Sequence, residues 1–118
     1  MYSGLISFSE GGIVNKNGVG QNDIPVRPYL KVVRSKNVVT LHFDMEAQES
    51  MLIFCKRGKE ADFSFLTETC KSPFTDVRPN LTEYSETREY KAVFCANGEP
   101  VGEPDYIQIK TKGRFRFF

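Results

Sequence analysis

The chain has 118 residues, 40% of them apolar and ten of them phenylalanine, with sixteen basic residues against fifteen acidic ones. That length suits one domain with its own core and leaves no room for two. The near balance of charge excludes a wholesale electrostatic grip on nucleic acid or a membrane surface, and no apolar run approaches the roughly 18 to 20 residues that cross a bilayer.

Residues 1–24 are rich in glycine and asparagine, broken by the apolar groups Leu5, Ile6 and Phe8 and then Ile13 and Val14. They read as an extended N-terminal arm. It is either a disordered leader or a segment that orders by adding a strand to another subunit, which the alternation of Leu5, Ser7 and Ser9 against Ile6 and Phe8 suits. The opening MYSGLISFSEGG has no basic leader, so export is not expected. Gly18-Val19-Gly20 lacks the third glycine and the Lys-Ser or Lys-Thr of a phosphate loop.

From residue 25 the pattern becomes strands and short turns. Val26 to Val33 is a first strand, broken by Pro28 and therefore placed at a sheet edge, because proline cannot donate to a ladder. After the turn Ser35-Lys36-Asn37, the run Val38 to Met45 alternates, with Val39, Leu41, Phe43 and Met45 toward a core. Met51 to Arg57 is apolar on both faces, the mark of a central strand or of one covered on its outer side. Asp62 to Thr69 and Ser72 to Asp76 are shorter strands. The stretch Leu81 to Asn97 leads from a leucine-headed polar turn into a strand with Tyr90, Ala92, Phe94 and Ala96 inward and Lys91, Val93 and Cys95 outward. Asn97-Gly98-Glu99-Pro100 is a turn, and Asp105 to Lys112 is a last strand with Ile107 and Ile109 inward. About seven strands without a helical period predict an antiparallel two-sheet sandwich over residues 25–112.

Little in this pattern carries chemistry. Cys55, Cys70 and Cys95 fall at no metal-ligand spacing, and only His42 could assist them, so no metal or cofactor is expected. The cysteines are either packed thiols in a reducing compartment or, for Cys55 and Cys95 on adjacent strands, a disulfide pair in an oxidising one. His42 sits on the outer face of its strand, away from any nucleophile and carboxylate partner. Asp44, Glu46 and Glu49 gather at one turn but lack the spacing of a calcium loop. Asn80-Leu81-Thr82 is a glycosylation sequon by pattern, with Leu81 better explained by packing.

In order and spacing, VVTLHF, LIFCKRG, SPFTDVRPNL, REYKAVFCANGE and GEPDYIQIKT resemble a fibronectin type III domain over about residues 25–112. Leu81 and Tyr90 match that family's leucine and tyrosine around the turn before the sixth strand, and Asn97-Gly98 matches its hairpin. Phe43 departs from the pattern, standing where the family usually has a tryptophan. Lys56-Arg57-Gly58-Lys59 lacks the aspartate of the family's integrin-binding tripeptide. The resemblance implies sheets of strands one, two and five against strands three, four, six and seven, and a spacer or binding module that is not an enzyme.

Two surfaces stand out as contact candidates. The outer face of the larger sheet would gather Leu52, Phe54, Val93 and Tyr106 with Cys95, unless a bulge shifts the parity or the arm folds over it. The tail, residues 113–118, holds Arg114, Phe115, Arg116, Phe117 and Phe118, residue types that dominate docking hot spots; fraying or stacking on single-stranded nucleic acid are the other readings of it. The expected role is a non-enzymatic structural protein docking onto protein subunits of a larger assembly or onto copies of itself, with no nucleic-acid or membrane partner. One such domain with extended ends, no export signal and free thiols resembles the accessory or decoration proteins of tailed-phage capsids. That implies a virion protein assembled in a reducing cytoplasm. The alternative is a cell-surface or secreted module for carbohydrate or a cell-surface partner.

Overall fold

A computed structural model describes residues 26–113. Over that range the chain is all-β and sandwich-like: seven strands form two antiparallel sheets, and no helix interrupts them. The strands are β1 (Lys31–Ser35), β2 (Val38–His42), β3 (Ser50–Arg57), β4 (Ser64–Thr69), β5 (Phe74–Asp76), β6 (Glu86–Ala96) and β7 (Glu99–Thr111). The smaller sheet has the order β1-β2-β5 and the larger β4-β3-β6-β7, the partition that the sequence resemblance implies.

Period-two alternation puts one side of each strand into a shared core. Val39 and Leu41 come from β2, with Phe43 just beyond its end; Met51 and Ile53 come from β3, and Tyr90, Ala92 and Phe94 from β6. Ile107 and Ile109 of β7 pack against that cluster, as does Met45. Phe43 is 9% exposed and its N–H donates to Ser72 Oγ at 3.0 Å, so a phenyl ring closes the core where the resemblance leads one to look for an indole. The β6–β7 hairpin turns on Asn97 and Gly98 alone, both at positive φ (55° and 79°), the geometry that makes asparagine and glycine the favoured residues of a two-residue turn.

Several sequence expectations are corrected. The first strand begins at Lys31 rather than at Val26; residues 26–30 instead form a strap between the sheets, with Pro28 and Leu30 buried. Glu103 N donates to Val26 O at 2.9 Å and Leu30 N donates to Asp105 Oδ2 at 2.9 Å, so the strap is held by β7. The last strand starts at Glu99 rather than Asp105. Pro100, Gly102 and Pro104 lie within it because β7 is an edge strand whose pairing with β6 shifts register between Ala92 and Phe94; a bulged edge tolerates residues that a central strand would not. Leu81 is 57% exposed and does not pack into the core. Cys55 lies opposite Tyr90 and Cys95 opposite Ser50 along the same β3–β6 ladder, five positions apart and on opposite faces. All three thiols are free, and Cys70 is exposed rather than packed. The arm residues Leu5, Ile6, Phe8, Ile13 and Val14 and the tail residues Arg114, Phe115, Arg116, Phe117 and Phe118 lie outside the described residues.

Candidate interaction surface

The outer face of the larger sheet carries a row of large side chains set by strand register. Phe54 of β3 stands opposite Phe65 of β4 on one side and Lys91 of β6 on the other, and Lys91 stands opposite Tyr106 of β7. Phe54 and Phe65 meet edge to face at 5.8 Å between ring centroids. Phe63, just ahead of β4, lies over the same face with its ring 5.8 Å from that of Tyr106. The Lys91 ammonium sits 4.9 Å from the Phe54 centroid and 5.6 Å from that of Phe63, and Lys56 sits 5.1 Å from Phe63 on its other flank. Such cation–ring contacts contribute about 0.5–1 kcal/mol each at exposed sites and fix the lysines above the rings. Lys56 is also 3.5 Å from Glu89.

The surface remains open at its edges. Phe65 is 60% exposed and Tyr106 is 49% exposed. Of the residues expected in this face, Leu52 and Phe54 are half-buried, while Val93, opposite Leu52, is only 6% exposed and offers no contact area; Cys95 is likewise buried. Lys91 lies outward as its strand parity predicts, while the places of Phe63, Phe65 and Lys56 on this face are not among the sequence expectations. The signal was present in Asp62-Phe63-Ser64-Phe65, where two rings two residues apart must share a strand face.

Beneath one end of the sandwich lies a buried ionic knot that sequence reasoning missed. Glu86, Arg88 and Tyr90 point to the same side of β6, and Arg88 is fully buried. Its guanidinium donates to Glu86 Oε2 at 2.7 Å, Asp76 Oδ2 at 3.2 Å, the Arg78 carbonyl at 2.9 Å and Asn80 Oδ1 at 3.1 Å. Tyr90 donates its hydroxyl proton to Asp76 Oδ2 at 2.6 Å, and Arg78 grips both Asp76 oxygens at 2.9 Å. Arg57 donates to Glu86 Oε2 at 3.0 Å and to the Pro79 carbonyl, while Leu81 N donates to Glu86 Oε1 at 2.7 Å. The knot thereby clamps the crossing from β5 to β6. Asn80 has both amide protons taken, by the Tyr84 carbonyl at 2.9 Å and the Lys112 carbonyl at 3.0 Å, which ties up the nitrogen that the sequon would need.

Burial by itself would raise the Asp76 pKa, but the hydrogen bonds from Arg78 and Tyr90 outweigh it and hold the carboxyl at about 2. Glu86 is likewise penalised by burial yet lowered overall by the Leu81 N–H, Arg88 and Arg57. Burial pushes the Tyr90 phenol up, keeping it a neutral donor, and burial also raises the Cys55 thiol. A general acid or base for neutral pH needs a pKa near 7, and these carboxyls are displaced the other way. The two carboxyls stay ionised at neutral pH and act as acceptors within the knot. His42 is exposed on β2, opposite Lys31.

A pH dependence follows. Asp76 ionises near 2 in the fold against an ordinary value of 3.8, so between those values the unfolded chain binds the extra proton. Its stabilisation, roughly 2 kcal/mol, is complete above about pH 4 and drains away as pH falls toward 2; Glu86 acts in the same direction. Urea unfolding followed between pH 5 and 2 should show this loss, and an Asp76→Asn chain should show a shallower one. Equal slopes would remove Asp76 from the account.

Beside the knot a cleft of about 820 Å³ opens between the Gly58–Glu60 turn and the Leu81–Thr87 segment, floored by Arg57 and Glu86. Comparison with family models, with curated proteins and with solved structures returns no match to the chain.

Proposed function

We propose that the chain is a fibronectin type III-like module with a non-enzymatic structural role, docking through the outer face of its larger sheet onto a protein subunit of a larger assembly. The observation that carries this is the Phe65–Phe54–Lys91–Tyr106 row, in which Phe65 and Tyr106 stay exposed on the solvent side of a sheet whose other side packs into the core. An antiparallel sheet normally presents polar residues there. The fitting partner offers apolar side chains to the open edges of Phe65 and Tyr106, and carboxylates to Lys91 and Lys56. Single-stranded nucleic acid fits less well, because bases stack on ring faces and the lysines already occupy those of Phe54 and Phe63.

The best setting for such a module is the accessory or decoration layer of a phage capsid, where many identical copies multiply a modest contact into stable attachment. The arm would add contacts to neighbouring subunits. The rival reading, a surface or secreted module, would have been favoured by a Cys55–Cys95 disulfide, and their positions on opposite faces of the β3–β6 ladder withdraw that support.

The test places a photo-reactive benzoyl-phenylalanine at Phe65, with Val77, 72% exposed, as the control position, in the cells where the assembly forms. A discrete protein adduct is expected from position 65, weakened by Lys91→Glu, and none from position 77. Equal labelling from both positions would sink the reading.

A further inference from the structure

The cleft beside the ionic knot and the point where the described chain ends belong together. The Leu81–Thr87 wall is held rigidly: Asn80, Glu86 and Arg57 bind the Tyr84 carbonyl, the Leu81 N–H and the Pro79 carbonyl respectively. On that fixed wall Leu81 is 57% exposed and Tyr84 60% exposed. Two large apolar side chains are thus presented at a concavity by a segment that the knot does not let collapse.

The chain arrives at the same wall from β7. Asn80 binds the Lys112 carbonyl at 3.0 Å, and Gly113 is pressed so closely on the wall that a Cβ there would stand 2.6 Å from the Glu83 carbonyl oxygen and 2.7 Å from the Tyr84 carbonyl carbon. Only glycine fits, and the described chain ends there, beside Tyr84 and Ser85 of the cleft's lining.

We propose that residues 114–118 of the same chain, Arg-Phe-Arg-Phe-Phe, occupy this cleft. Five residues extend to about 17 Å, enough to reach from the rim toward the opposite Gly58–Glu60 turn. In an extended segment Phe115 and Phe117 share one side and Arg114 and Arg116 the other, so the rings enter against Leu81 while the guanidinium groups stay in water. The volume of about 820 Å³ lies within the roughly 300–1,000 Å³ of sites that hold compact ligands, which leaves room for two rings. Arg57 and Lys59 balance Glu60 and Glu86 in the lining, so no net charge repels the arginines. A segment tethered at the rim without a spacer has a local concentration that a separate molecule would have to match. The tail therefore closes the end of its own sandwich. This goes beyond the docking reading and does not rest on it, because the cleft is distinct from the aromatic face of the sheet.

The sequence has no tryptophan, so Phe117→Trp and Phe115→Trp each install a single emitter in the full chain. The expected result is blue-shifted emission with acrylamide quenching several-fold weaker than in a free peptide of residues 113–118 carrying the same change. Adding Leu81→Asp should return both readings to those of the peptide, with the far-UV circular dichroism unchanged. Peptide-like emission from both single-tryptophan chains would overturn the proposal. So would a blue shift that disappears on dilution together with a fall in mass, since the occupant would then be the tail of a second copy.

Discussion

Arg88→Ala should lower the unfolding free energy by about 3–5 kcal/mol, the range found when one partner is removed from a buried ion pair. The side chain is fully buried and donates to two carboxylates, one carbonyl and one amide oxygen, so its loss strands acceptors as well as leaving a void. Arg78 and Tyr90 still serve Asp76, and Arg57 and the Leu81 N–H still serve Glu86, which keeps the cost from being larger. Arg88→Met separates the causes. It restores most of the volume without the charge, so if stranded carboxylates dominate it should be nearly as damaging as alanine, and adding Glu86→Gln should recover part of the loss. Against a typical total of 5–15 kcal/mol, urea unfolding resolves these differences easily. A cost below about 1 kcal/mol for Arg88→Ala would mean that water enters and serves the acceptors, and the knot would not be the clamp described above.

The same residues show what the sequence made legible. Tyr90, Ala92 and Phe94 announce an inward face by alternation, and counting back along β6 places Arg88 and Glu86 on that face too. Charged side chains are ordinarily read as solvent-facing, so the strand's inward face appeared to stop at Tyr90. What makes their burial tolerable is nonlocal: Asp76 and Arg57 come from other strands, and their approach is a product of the fold. Asn97-Gly98 was readable because its signal is local backbone chemistry. The start of the last strand, expected at Asp105 and found at Glu99, is hidden by Pro100, Gly102 and Pro104 for a related reason, since whether such residues break a strand depends on its being at an edge. Of the candidate surface, Leu52, Phe54 and Tyr106 followed from parity, whereas the lysines seated on the rings depend on neighbours across three strands. Leu81, matched to the family's leucine and read as a packing residue, stands instead exposed on the cleft wall, a place that only the fold determines.

Gly102→Ala should cost roughly 2–4 kcal/mol, much more than the same change at Gly98, and the contrast isolates close approach from backbone preference. Both glycines have positive φ, 76° and 79°, so each alanine carries a left-handed penalty of about 1–2 kcal/mol. Around Gly98 a Cβ meets nothing within 4 Å, and that penalty is the whole expected effect. At Gly102 the Cβ would overlap the Val26 carbonyl oxygen and stand 2.9 Å from its carbon, so the strap must move. Moving it breaks the Glu103–Val26 hydrogen bond and loosens the grip of Asp105 on Leu30, whose side chain belongs to the core. Amide exchange should therefore quicken at Leu30 and Glu103 in Gly102→Ala and stay unchanged in Gly98→Ala. Equal exchange in the two variants would show that the strap adapts freely. The consequence reaches the proposed role, because Val26 is the first described residue and its bond to β7 fixes it against the sandwich. In the proposed role, an arm that adds a strand to a neighbouring subunit would need Val26 held in place, so Gly102→Ala should weaken assembly beyond what its loss of stability explains.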